Sequence, residues 1–100
     1  MFYVYILYSA VADKFYIGST DDPDRRLIEH NTSIHNTFTS KYRPWELRAA
    51  FAIGESRKLA LQYERKLKKL KSKRIILELI RQNGDTDFFA QLVRVPTCRD

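Results

Sequence analysis

The sequence predicts an α+β domain: a small three-stranded antiparallel sheet flanked by helices, in the order β-β-α-β-α-α. Three observations carry this prediction. Phe2-Tyr3-Val4-Tyr5-Ile6-Leu7-Tyr8 is β-branched and aromatic throughout, and a short connector leads to Phe15-Tyr16-Ile17-Gly18, the pattern of an antiparallel hairpin. Trp45–Ile53 alternates, with Trp45, Leu47, Ala49, Phe51 and Ile53 on one side and Glu46 and Arg48 on the other, which predicts a third strand. Leu59, Tyr63, Leu67 and Leu70 fall on one helical stripe of a strongly basic segment.

Each element has a local reason. In the first strand Tyr3, Tyr5 and Leu7 point one way and Val4, Ile6 and Tyr8 the other, so both faces need cover. Asp22 followed by Pro23 is a helix start: the carboxylate accepts a backbone N–H, and proline at the first helical position has none to lose. That helix runs to about Asn31 and places Arg26 and His30 on one face, four residues apart. Thr32–Pro44 has little periodicity and reads as a mobile surface loop beside a cleft, with His35, Asn36, Thr39 and Lys41 available to phosphates. Ser56 caps the basic helix, and Lys73–Asn83 is a further helical segment with Gly84 as its C-cap. Whether the chain bends near Ser72 is left open. A domain over residues 1–84 is expected, with residues 85–100 as a tail packed on it, containing a strand-like Leu92-Val93-Arg94-Val95.

The chain has 100 residues, which suits one domain with one core. Its composition, 44% hydrophobic and 30% charged, is that of a globular chain and excludes a disordered one. A single cysteine, Cys98, makes no internal disulfide and suits a reducing compartment. The apolar run Met1–Ala12 is too short to cross a bilayer and lacks the basic start of a signal peptide, so a cytoplasmic protein without a membrane partner is expected. The net charge of +6 sits in the second half, and Ser56–Arg74 alone holds nine basic residues against one acid, Glu64. Such a face suits a polyanion, though a solvated helix looks the same by charge alone. Lys41, Arg43, Lys58, Arg65, Lys68 and Lys69 are the candidate nucleic-acid contacts.

Five residues stand out chemically. Tyr5 and Tyr16 lie on the paired strands, and Arg26 and His30 meet them if the first helix crosses the hairpin. Glu64 sits at the edge of the apolar stripe of the basic helix, where it either pairs with Lys68 or holds a cation in a cleft. Cleavage of a phosphodiester needs an activated water, a cation beside the leaving oxygen and a positive group on the phosphate. A phenol ordinarily titrates near 10, so as a base it needs flanking positive charge; Arg26 and a cation at Glu64 are expected to lower the Tyr5 pKa. A carboxylate suits Mg²⁺, and the guanidinium fork suits phosphate. Taken singly, each residue also has a structural reading: core tyrosines, a surface arginine, a histidine at a helix end.

Val4-Tyr5-Ile6 followed by Tyr16-Ile17-Gly18 resembles the GIY-YIG signature of nuclease domains. Arg26-Leu27-Ile28-Glu29-His30-Asn31 resembles the family's Arg-x-x-x-His helix motif, and Ala60–Lys68 its helix with a metal-binding Glu. The resemblance covers about residues 2–70 and is nearest to the small stand-alone bacterial members. It implies a Mg²⁺- or Mn²⁺-dependent DNA endonuclease, structure-selective and linked to DNA repair or recombination. It also implies catalytic roles for Tyr5, Tyr16, Arg26 and His30, with Tyr5 assisting the attacking water, and metal binding by Glu64. Two positions depart from the pattern. Val4 stands where the family has its first Gly, and the family's late Asn has only Asn83 as a match. The residues leave two other readings open: a nucleic-acid-binding protein that kept the fold, and a helper subunit whose basic helix docks a protein. No motif marks a protein partner, and the oligomeric state is not set by the sequence.

Overall fold

The structure is a computed structural model and describes residues 1–34, 39–70 and 72–93, the side chains of Leu92 and Val93 excepted. In chain order it contains β1 (Phe2–Ser9), β2 (Lys14–Thr20), α1 (Pro23–Thr32), a 3₁₀ turn (Thr39–Tyr42), β3 (Trp45–Gly54), α2 (Arg57–Leu70), α3 (Lys73–Arg81) and α4 (Thr86–Val93). The three strands form one antiparallel sheet in the order β2-β1-β3. This is the predicted α+β arrangement, with one helix more. Asp22 caps α1 by accepting from the Arg25 N–H at 3.1 Å, with Pro23 at the first position. Ser56 accepts from the Leu59 N–H at 3.1 Å in front of α2.

Placing β1 at the centre explains its two apolar faces. On one face Val4 and Ile6 join Ile17, Ala49, Phe51, Tyr63, Leu67, Leu79 and Phe89 in the main core, covered by α2, α3 and α4. Burial of a side chain such as Phe51 contributes roughly 1.5–3 kcal/mol. On the other face Tyr5, Leu7 and Trp45 form a second cluster with Tyr16, Leu27, Tyr42, Leu47 and Ala50, covered by α1 and the 3₁₀ turn. Val4 therefore faces away from Tyr5 into the core, where its side chain is useful packing.

Several sequence expectations change. The alternation of β3 is broken: Ile6 pairs with Ala49 but Leu7 pairs with Leu47, which leaves Arg48 as an extra residue. Two residues thus oppose one, the strand turns over, and Trp45 and Leu47 serve the Tyr5 face while Ala49 and Phe51 serve the core. Leu70, expected on the buried stripe, is 41% exposed at the end of α2. The chain does break near Ser72, whose hydroxyl caps α3 by accepting from the Ile75 N–H at 3.3 Å. Helix α3 stops at Arg81 with Gln82 as its C-cap, and Gly84 lies two residues on, at φ +89°. Leu92 and Val93 finish helix α4 instead of opening a strand, and Phe89 from the same helix is buried in the core. Arg94, Val95 and Cys98 lie outside the described residues.

The outer edge of β3 is closed by the connection between α3 and α4. Asn83 Oδ1 accepts from the Ala50 N–H at 3.0 Å, and the Thr86 hydroxyl donates to the Ala52 carbonyl at 2.9 Å. These side chains satisfy backbone groups that an edge strand otherwise offers to another chain.

Candidate active site

Tyr5 stands at the middle of β1, 1% exposed, directly opposite Gly18 of β2. The ring lies against the bare backbone of that glycine. Tyr16 stands on the same face of β2, with ring centroids 6.4 Å from Tyr5. Helix α1 crosses this face. Its end is locked to the start of β3 by two hydrogen bonds: Asn31 Nδ2 donates to the Trp45 carbonyl at 3.0 Å, and Asn31 Oδ1 accepts from the Trp45 N–H at 2.7 Å. His30 is thereby held against both tyrosines. Its Nε2 is 2.9 Å from the Tyr5 hydroxyl, and its ring centroid is 4.9 Å from that of Tyr16.

Arg26, one turn before His30, binds Glu29 Oε1 at 2.6 Å, and its positive charge acts on the Tyr5 oxygen. Glu64 of α2 also acts on Tyr5 through its charge. It is half-buried and pairs with Lys68 at 2.7 Å, and the Lys68 ammonium lies 5.8 Å from the centre of the Tyr16 ring. The helix crossing imagined from the sequence is thus realised: Tyr5, Tyr16, Arg26 and His30 share one site, with Glu64 at its border.

Arg26 alone does not lower the Tyr5 phenol: burial, Tyr16 and the charge of Glu64 outweigh it and push the group up to about 12. The expected lowering needs the second positive charge, that of a cation at Glu64. Burial also drives His30 down to about 4, reinforced by the charges of Arg26 and Arg43 and opposed by Glu29. At neutral pH the pair is therefore a neutral phenol and a neutral imidazole.

The described ends of the loop segment are more built than its composition suggests. Thr39 is buried, and its hydroxyl lies 2.9 Å from His30 Nδ1, so it meets the histidine and not a phosphate. Arg43, expected on nucleic acid, binds the end of α1 through the carbonyls of His30, at 2.7 Å, and of Ser33. His35 and Asn36 lie outside the described residues. Lys41 is exposed. Lys58, Arg65 and Lys69 are exposed and, at about 100° per residue, share the side of α2 turned away from the sheet. Arg65, Lys66, Lys68, Lys69 and Gln62 line a shallow groove of about 630 Å³. Asn83 is occupied by the Ala50 backbone. Trp45 belongs to the site although reasoning from the sequence gave it a place only in the third strand, and Thr39 and Gly18 serve it through His30 and Tyr5, contacts the sequence did not show.

Among the described residues, no three His, Cys, Asp or Glu side chains gather into a metal cage. One carboxylate is nonetheless a fitting ligand for a cation such as Mg²⁺, which keeps most of its waters. Glu64 already holds a positive charge, that of Lys68, beside the tyrosines.

A family model described as the GIY-YIG catalytic domain matches residues 1–76. The chain belongs to the GIY-YIG family. Among its relatives, the "structure-specific endonuclease subunit SLX1" of Debaryomyces hansenii is 43% identical over 70 residues, which cover 64% of this chain and 20% of that protein. The protein of the same name from Meyerozyma guilliermondii is 43% identical over 76 residues, or 71% of this chain and 26% of that protein. The Paracoccidioides brasiliensis protein is 43% identical over 65 residues, 60% of this chain and 15% of that protein. The match thus spans about a quarter or less of each relative. These relatives are fungal and lend no support to the expected kinship with bacterial members. No solved structure matches the chain. Among the described residues, no helix is long and apolar enough to cross a membrane.

Proposed function

We propose that this GIY-YIG domain is a divalent-metal-dependent DNA endonuclease that recognises DNA structure and serves repair or recombination. The observation that carries the reading is the 2.9 Å contact between Tyr5 and His30, with Tyr16, Arg26 and Glu64 around it. The relatives, named as structure-specific endonuclease subunits, support the substrate class and favour work with a protein partner.

The residues divide the task as follows. Tyr5 takes a proton from the attacking water only as it gives up its own, and His30 Nε2 is the acceptor within reach. The new water–phosphorus bond forms as the bond to the leaving oxygen breaks. Arg26 holds a phosphate oxygen with its guanidinium and steadies the charge that develops there. The incoming phosphate also offsets the positive charge of Arg26, one of the influences that keep His30 from taking a proton. Glu64 would hold Mg²⁺ or Mn²⁺, which when bound supplies Lewis-acid polarisation of the phosphate and charge beside the leaving oxygen. Tyr16 packs against His30 and borders the space for the substrate. Lys41, Lys58, Arg65, Lys68 and Lys69 bind backbone phosphates, with little reading of base sequence.

Single-turnover cleavage of single-stranded, duplex and branched DNA, with Mg²⁺ and with chelator, tests the reading. Wild type is expected to cut branched DNA and to stop with chelator. Tyr5→Phe should lose on the order of 10²- to 10⁴-fold in rate with little change in melting. Glu64→Gln should keep its stability and lose both cleavage and metal affinity. A wild type that binds DNA but cuts none under any metal leaves the binding-protein reading in its place.

A further inference from the structure

The mechanism leaves one buried polar contact of the site unused, that between Thr39 and His30. Tyr5 and Thr39 hold the two ring nitrogens of His30, each at 2.9 Å. A neutral imidazole carries one N–H, so one nitrogen donates and the other accepts. The positive charge of Arg26 acts on the Tyr5 oxygen, which favours the lone pairs of that oxygen toward the guanidinium and the hydroxyl hydrogen toward the ring. Nε2 is then the acceptor and Nδ1 the donor, with the Thr39 hydroxyl oxygen receiving it.

The Thr39 hydroxyl is fixed by backbone anchors that do not depend on its side chain. Trp45 Nε1 donates to the Thr39 carbonyl at 2.7 Å, and Ser9 Oγ donates to the Tyr42 carbonyl at 2.6 Å. Trp45 is itself clamped by Asn31, the neighbour of His30. The 3₁₀ turn and the end of α1 are thus tied to the same indole residue.

We propose that Thr39 is a positioning residue: its buried hydroxyl holds the proton of His30 on Nδ1 and keeps Nε2 open toward Tyr5. The logic is that of a base oriented by a third group, here a neutral one. The proposal rests on the nuclease reading for its effect on rate, but not for its effect on the ring.

The test pairs Thr39→Val, which keeps the shape and the backbone bonds, with Thr39→Ser, which keeps the hydroxyl. Ring ¹⁵N shifts of His30 report the tautomer, and single-turnover cleavage reports the rate. Wild type and Thr39→Ser should show one tautomer, protonated at Nδ1, and similar rates. Thr39→Val should show a mixture of tautomers and cleave about 10- to 100-fold more slowly, part of what a positioned acid–base group contributes, with DNA affinity unchanged. A wild-type rate and a single tautomer in Thr39→Val overturn the proposal. So does a Thr39→Ser as slow as Thr39→Val, which marks the methyl packing as the cause. If Thr39→Val does not fold, Thr39→Ala takes its place with the same two outcomes. If wild type cleaves nothing, the nuclease reading falls and the tautomer in the valine variant decides the proposal alone.

Discussion

A Cβ on Gly18 would lie 2.5 Å from the Tyr5 hydroxyl oxygen and 2.7 Å from Cζ of its ring. Carbon atoms do not approach so closely, so an alanine there must displace the ring or part β1 from β2. Gly18→Ala is expected to cost about 1–3 kcal/mol of stability, as overpacked sites do. It should also slow cleavage, because the Tyr5 hydroxyl is pushed off His30; a melting curve beside single-turnover cleavage checks both. The final Gly of the motif is thus a steric requirement of its first Tyr, a link invisible until the register Tyr5–Gly18 is known. The main site residues were legible because a hairpin and an i,i+4 pair on the next helix bring them together by short-range geometry. The proton affinity of Tyr5 was not legible, since it depends on how deeply the ring is buried. The partner of Thr39 was hidden for a similar reason: His30 is nine residues away in the sequence, and no periodic pattern links the two.

Among the elements, β3 has the least ordinary surroundings. One side of it pairs with β1, and its other edge is met by side chains from the connection after α3. Removing the Asn83 bond leaves a backbone donor, and removing the Thr86 bond a backbone acceptor, open to water or to another strand. Asn83→Ala is expected to cost about 0.5–1.5 kcal/mol and to speed hydrogen exchange at the Ala50 amide, measured by denaturation and by NMR. The helix starts could be read from the sequence because Asp22-Pro23 and Ser56 act within one turn. The extra helix α4 could not, since Phe88-Phe89 and Leu92-Val93 suit a strand as well as a helix and only packing of Phe89 on Phe51 and Tyr63 decides. The reversal in β3 was equally hidden, because an apolar residue falls at every second position whether or not the strand turns over.

The molecule as a whole carries a charge of +6, and its exposed Lys58, Arg65 and Lys69 lie along one helix. Duplex affinity is expected to fall steeply as salt rises, because each phosphate contact releases condensed cations; a binding titration at several salt concentrations measures the slope. Folding stability should depend on acid as well. His30 titrates near 4 when folded and at its ordinary 6.5 when unfolded. Between these values the unfolded chain takes up a proton that the folded chain refuses, so stability is lost as pH falls from 6.5 toward 4. The loss is on the order of 2–3 kcal/mol, and His30→Gln should flatten it in melting curves taken across that window. Arg48 bears on the whole molecule in a different manner. The strand that contains it must supply Trp45 to one face of the sheet and Phe51 to the other, and the additional residue is what permits both. Replacing Arg48 by another residue alters one exposed side chain. Losing its codon forces a choice: either the tryptophan that anchors His30's neighbour or the phenylalanine of the core must face the wrong way. At this point in the gene, length is under a stricter constraint than spelling.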